Sequence, residues 1–87
     1  MASRYKIEFT HSFLRDLKPL SKEMQKRIIQ HLEGEFLQNP FYRTVKLEGL
    51  EIGKYRTRIG DYRARFDVEK DLIILRRIRH RKDIYKQ

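Results

Sequence analysis

Arginine recurs at every second residue on either side of a glycine: Arg56 and Arg58 precede Gly60-Asp61, and Arg63 and Arg65 follow it. Such alternation puts side chains on one side of an extended backbone. If Gly60-Asp61 is a two-residue hairpin loop with glycine first, as a type II′ turn wants, Ile59 faces Tyr62, Arg58 faces Arg63, Thr57 faces Ala64 and Arg56 faces Arg65. Two opposed arginine pairs then share a face, and Tyr55, Thr57, Ile59, Tyr62, Ala64 and Phe66 lie on the other. Like charges directly across a strand pair are destabilising by roughly 0.2 to 1 kcal/mol each, and a merely solvated face would intersperse acids with bases. The pattern therefore fits a face that an anion fills. Arginine's planar fork grips a phosphate with two hydrogen bonds and stacks on bases, so the expected ligand is a polyanion, RNA first.

The elements that must position these arginines follow from periodicity. Tyr5 to Phe9 alternates apolar and polar residues, as a half-buried strand does. Thr10 or Ser12 caps a helix running to Lys18, with Phe13, Leu14 and Leu17 on one face, and Pro19 interrupts it. Ser21 caps a second helix in which Met24, Ile28, Ile29, Leu32 and Phe36 recur until Asn39-Pro40, and this stripe reads as core. Phe41 to Ile52 reads as a loop, with Val45 and Leu47 in a short extended piece. Three strands close the chain: Lys54 to Ile59, Tyr62 to Val68, and Leu72 to about Arg79. The second turn, Glu69 to Asp71, fits two or three residues, which leaves open which of Arg76, Arg77 and Arg79 joins the arginine face. The expected fold is α+β: a short N-terminal strand, an antiparallel two-helix hairpin, and a three-stranded antiparallel meander forming one sheet with helices on one face. Residues 1–87 form a single domain, since so short a chain supports one core.

Composition narrows the partners. The 21 basic and 12 acidic residues give +9, and residues 54–87 carry most of it, with twelve lysines and arginines against five acids. A field of that sign favours encounter with nucleic acid or acidic proteins. The absence of cysteine excludes disulfides and thiolate zinc sites. With no apolar run long enough for a signal peptide or a bilayer span, a cytoplasmic protein without membrane contact is expected. His11 and His31 lack a second ligand at metal spacing, Asp61 belongs to the turn, and Asp67 and Asp83 are expected to pair with neighbouring arginines. No metal and no cofactor is therefore expected.

Three blocks, Val45-Lys46-Leu47-Glu48-Gly49, Tyr55-Arg56-Thr57-Arg58-Ile59-Gly60-Asp61-Tyr62-Arg63 and His80-Arg81-Lys82-Asp83-Ile84-Tyr85, occur in an order that resembles the RelE/ParE toxin superfamily of toxin–antitoxin systems. The resemblance spans nearly the whole chain. It implies a toxin neutralised by an acidic antitoxin. In the RelE branch it implies a ribosome-dependent endoribonuclease that cuts mRNA in the A site, beside 16S rRNA, by metal-independent attack of the ribose 2′-hydroxyl on the adjacent phosphate. A ParE-type toxin, which inhibits DNA gyrase by binding it, and a catalytically inactive binding member are the alternatives. By position, the resemblance carries the family's paired strand residues to Arg56 and Arg58, its strand arginine to Arg63, its C-terminal arginine to Arg81 and its tail tyrosine to Tyr85; catalysis is expected of Arg58, Arg63, His80, Arg81 and Tyr85, and RNA or phosphate binding of Lys46, Lys54, Arg56, Arg65, Arg79 and Lys82.

Each role has a physical basis. Arg63 and Arg81 are suited to offset charge building on the scissile phosphate, Arg56 and Arg58 to orient its neighbours, and Tyr85 to stack on a base. In this chain the paired strand positions, lysines in well-known RelE members, are Arg56 and Arg58, and arginine is not deprotonated at any relevant pH. His80 is the expected proton carrier in their place.

Overall fold

The computed structural model of the protein describes residues 4–84. The chain runs β1 (Lys6–Phe9), α1 (His11–Leu17), α2 (Lys22–Glu33), α3 (Glu35–Gln38), β2 (Thr44–Lys46), β3 (Tyr55–Ile59), β4 (Tyr62–Glu69), β5 (Leu72–His80) and α4 (Arg81–Ile84). One mixed sheet of order β1-β5-β4-β3-β2 carries the fold; β1 runs parallel to β5 and every other pair is antiparallel.

Thr10 explains how β1 gives way to α1. Its amide donates to the Leu75 carbonyl at 3.1 Å, prolonging the contact with β5, while its Oγ accepts from the Phe13 amide at 3.2 Å as an N-cap. The same hydroxyl lies 2.9 Å from the Leu75 carbonyl, to which it donates. One side chain thus ends a strand, starts a helix and pins both to β5; such a cap contributes about 1 kcal/mol. Ser21 caps α2 by accepting from the Met24 amide at 3.1 Å.

Helices and sheet share one core, in which Phe13, Leu17, Ile28, Leu32 and Phe36 meet Ala64, Phe66, Ile73, Leu75 and Ile78. Phe66 is its hub, with the Phe36 ring edge-on at 5.0 Å and Tyr55 stacked at 5.5 Å. Burying an aliphatic or aromatic side chain of this size stabilises by about 1.5–3 kcal/mol.

Two expectations are corrected. The second helix does not continue to Asn39: Gly34, at φ −108° and ψ −102°, breaks it into α2 and α3, which lets Phe36 and Leu37 both turn inward. The short extended piece expected at Val45 and Leu47 within Phe41 to Ile52 is a sheet strand at Thr44, Val45 and Lys46, which pair with Thr57, Arg56 and Tyr55 and widen the sheet to five strands. Three residues are too few for periodicity to fix the bounds of such a piece or its place in the sheet. Among the described residues no helix is long and apolar enough to cross a membrane.

Candidate functional site

The hairpin register is the one glycine placement predicts. Ile59 pairs with Tyr62, Arg58 with Arg63, Thr57 with Ala64 and Arg56 with Arg65. Gly60 takes φ 59° while Asp61 stays out of the left-handed region, as a type II′ turn requires. The β4–β5 turn has two residues, Lys70 and Asp71, since Glu69 pairs with Leu72.

β5 decides which further arginines join the face. From Leu72 to Leu75 the strands pair in step, but between Phe66 and Arg65 the register slips, so Phe66 faces Leu75 and Arg65 faces Arg77. Arg76 is the extra residue of a bulge, which reverses the parity of everything after it. Ile73 and Leu75 therefore point to the core before the bulge and Ile78 after it, while Arg77 and Arg79 turn to the arginine face. Six arginines result in two cross-strand rows, Arg58-Arg63-Arg79 and Arg56-Arg65-Arg77.

Three of these side chains are held by the protein. Arg77 Nε and Nη2 donate to Asp16 Oδ2 and Oδ1 at 2.8 and 3.1 Å, and the Ile78 amide donates to Asp16 Oδ2 at 3.0 Å. Burial by itself would raise the Asp16 pKa, but the Arg77 and Ile78 hydrogen bonds and the charges of Arg77 and Arg79 outweigh it and hold the carboxyl below its ordinary value. Arg77 is raised in turn, chiefly by its hydrogen bond to Asp16. Arg65 donates to the Gly53 carbonyl through Nε and to the Ile52 carbonyl through Nη2, both at 3.0 Å, and so clamps the loop between β2 and β3. Arg63 Nη1 donates to the Gly60 and Tyr62 carbonyls at 3.1 and 3.0 Å.

Asp67 completes the clamp. Its oxygens accept from the Gly53 amide at 2.7 Å, the Lys54 amide at 2.8 Å and Arg76 Nε at 2.8 Å. Burial would raise its pKa, yet the two amides and Arg76 bring it below the ordinary value. The expected pairing of Asp67 with an arginine is thus present, and the bulge supplies the partner.

Between the rows lies a groove of about 300 Å³ lined by Leu47, Arg56, Arg63, Arg65, Arg77, Arg79 and Asp83. Arg56 and Arg79 have no ion-pair or side-chain hydrogen-bond partner among the described residues. Guanidiniums gathered around a concave floor can bind successive phosphates or one phosphate from several sides.

The remaining expected residues scatter. Arg58 belongs to the row with Arg63 and Arg79 but lines a separate cavity of about 700 Å³ against α2 and α3, with Arg27, His31 and Arg43. Arg81 opens α4, where its amide donates to the Asp61 carbonyl at 2.7 Å and its Nε lies 3.8 Å from Asp61 Oδ1. Lys82 is exposed on the same turn. Lys54 is exposed at the start of β3, and Lys46 pairs with Tyr55, on the helix-bearing side. His80 pairs with Tyr62, also on that side; the two rings meet edge to face at 5.3 Å, and His80 Nδ1 accepts from the Lys82 amide at 3.2 Å. Tyr85 lies outside the described residues. Asp83 forms no ion pair with the arginines among the described residues, contrary to expectation, although it lines their groove. The pairing of Arg77 with Asp16 went unforeseen; nothing local in the sequence links residues 61 positions apart. No group of three His, Cys, Asp or Glu residues among the described residues is arranged to hold a metal ion.

Residues 7–85 match the family model described as the ParE toxin of the type II toxin–antitoxin system parDE. The chain is 37% identical over 84 residues to Toxin RelE3 of Methanocaldococcus jannaschii, covering 92% of this chain and 94% of that one. It superposes with a TM-score of 0.64 and 35% identity on a chain of the RelB–RelE antitoxin–toxin complex from Methanococcus jannaschii, over 88% of this chain and 93% of the other. A chain of the toxin–antitoxin complex RelBE2 from Mycobacterium tuberculosis shares the fold, with a TM-score of 0.78 at 22% identity over 87% and 96% of the two chains. The α+β architecture with its mixed five-stranded sheet is thus of the RelE type, and the chain belongs to the RelE/ParE superfamily of toxins from type II toxin–antitoxin systems.

Proposed function

We propose that the protein is a ribosome-dependent endoribonuclease that cleaves mRNA in the A site and so inhibits translation. The observation that carries this reading is the groove whose lining includes Arg56, Arg63, Arg65, Arg77 and Arg79. A toxin that acted by docking on a protein would have no use for this density of guanidinium on a concave sheet face, whereas an RNA strand supplies a phosphate at each step.

In this reading the RNA backbone crosses the groove beside 16S rRNA. Arg63 and Arg81 neutralise charge that accumulates on the scissile phosphate, Arg56 and Arg79 hold its neighbours, and Tyr85 stacks on a base to align the 2′-oxygen with the bond that breaks. The reaction needs no metal: the 2′-oxygen attacks phosphorus, the 5′-oxygen departs, and the products are a 2′,3′-cyclic phosphate and a 5′-hydroxyl end. The protein acts in the cytoplasm. Its formal charge of +9 suits neutralisation by an acidic antitoxin, in keeping with the solved relatives, which are toxin–antitoxin complexes.

The family model's description favours one other reading, a ParE-type toxin that binds DNA gyrase. Cell-free translation of a defined mRNA, with primer extension to map cuts, run beside a gyrase supercoiling assay, separates the two. Codon-phased cuts that require ribosomes are the expected result. Intact mRNA with blocked supercoiling would establish the gyrase reading instead.

A further inference from the structure

Cleavage by a 2′-hydroxyl needs a group that takes its proton, and the groove is poor in such groups. Its lining offers Leu47, which has no acceptor, five arginines, which stay protonated, and Asp83. Histidine, the residue most often used, is not in it: His80 stands on the opposite side of the sheet with its ring against Tyr62. Lys46 and Lys54 are not among the lining residues either. Asp83 is therefore the one proton acceptor in the groove among the described residues.

Its placement is fixed by two hydrogen bonds that the amides of its own turn donate. The turn that carries it is tied down where the Arg81 amide meets the Asp61 carbonyl and the Lys82 amide meets His80 Nδ1. α4 follows β5 directly, and Asp83 on it lines the same groove as Arg63 and Arg79. Asp16 and Asp67 each bond an arginine directly, but Asp83 has no ion-pair partner among the described residues.

Building on the nuclease reading above, we propose that Asp83 is the general base of the cleavage. A carboxylate oxygen accepts the proton of the 2′-hydroxyl as the 2′-oxygen forms its bond to phosphorus. The bond from phosphorus to the 5′-oxygen breaks, and that oxygen takes a proton from solvent. Asp83 then returns its proton to solvent, so the enzyme is regenerated. The surrounding arginines bear the charge on the phosphate and move no proton.

The test is single-turnover cleavage of a defined mRNA on ribosomes by the wild-type toxin and by Asp83→Asn and Asp83→Glu, with binding of a 2′-deoxy version of the same mRNA, which cannot react, measured in parallel. Asp83→Asn is expected to slow cleavage about 100-fold or more, as loss of a general base does. It should bind the inert RNA as tightly as wild type or tighter, because a negative charge has left a cationic groove. Asp83→Glu should recover part of the rate. Opposite movement of rate and affinity is what a merely structural residue does not give. Wild-type cleavage by Asp83→Asn overturns the proposal, and so does a loss of cleavage matched by an equal loss of RNA binding. If the wild-type toxin itself leaves ribosomal mRNA intact, the nuclease reading falls and takes this assignment with it; an active wild type with an indifferent Asp83 removes the assignment alone.

Discussion

Arg77 meets Asp16 through two parallel hydrogen bonds, so a carboxylate on α1 sets the orientation of a guanidinium on the groove floor. The carboxylate is the more buried partner, 14% exposed against 41% for the arginine. It also accepts from the Ile78 amide, on the stretch of β5 that β1 does not reach. α1 thereby covers a bare strand edge and arranges the binding face in one contact.

Asp16→Asn should separate these two duties. Asparagine keeps one acceptor for the Ile78 amide but loses the charge that holds Arg77. Expected are a loss of about 1–3 kcal/mol in urea unfolding and slower cleavage, with the secondary structure by circular dichroism unchanged.

Stability should fall in acid through Asp16 and Asp67. Both carboxyls are held below their ordinary value in the folded protein, so the unfolded chain binds protons first as pH drops. Their contribution is complete above the unfolded value of about 3.9 and is lost as pH falls through the lower folded values. Thermal melts between pH 7 and pH 2 should show a plateau followed by a steep decline. Asp16→Asn and Asp67→Asn should each flatten the decline.

Arg63→Ala and Arg81→Ala should each reduce ribosomal mRNA cleavage by about 100-fold, the scale on which one donor to a developing charge acts. If both variants cut at the wild-type rate, the catalytic centre lies elsewhere.

Gly53→Ala should disturb the clamp. Gly53 has φ 65°, and a Cβ there would sit 2.9 Å from Arg65 Nη2. Backbone strain alone costs about 1 kcal/mol, and Arg65 must release the Ile52 and Gly53 carbonyls. The expected result is a lower melting temperature with faster proteolysis between β2 and β3.

Much of this was legible in the sequence because the signals were local. Two residues, Gly60 and Asp61, fixed a turn type, and the turn fixed the partner of every residue from Arg56 to Arg65. Ser21, and Thr10 with Ser12 as its alternative, were readable as caps for the same reason. What escaped depends on distant or sub-threshold features. β2 has three residues and exists through β3. Gly34 sits in an otherwise continuous apolar stripe, where propensity alone does not decide between a kink and a break. The side of the sheet on which His80 lies depends on the slip at Arg76, and so do the positions of Arg77 and Arg79. The Asp16 contact joins elements from opposite ends of the chain.

The slip at Arg76 also governs how β5 can change length. Before it the strand is read in one frame and after it in the other, so removing any residue elsewhere between Leu72 and His80 would exchange inside for outside along part of the strand. Deleting Arg76 alone would join Leu75 directly to Arg77 and leave both frames intact, with Phe66 still opposite Leu75 and Arg65 opposite Arg77. The toll would fall on Asp67, stripped of its guanidinium. Among relatives of this toxin, single-residue length differences in the last strand should therefore gather at this point and coincide with a change in the acid beside it.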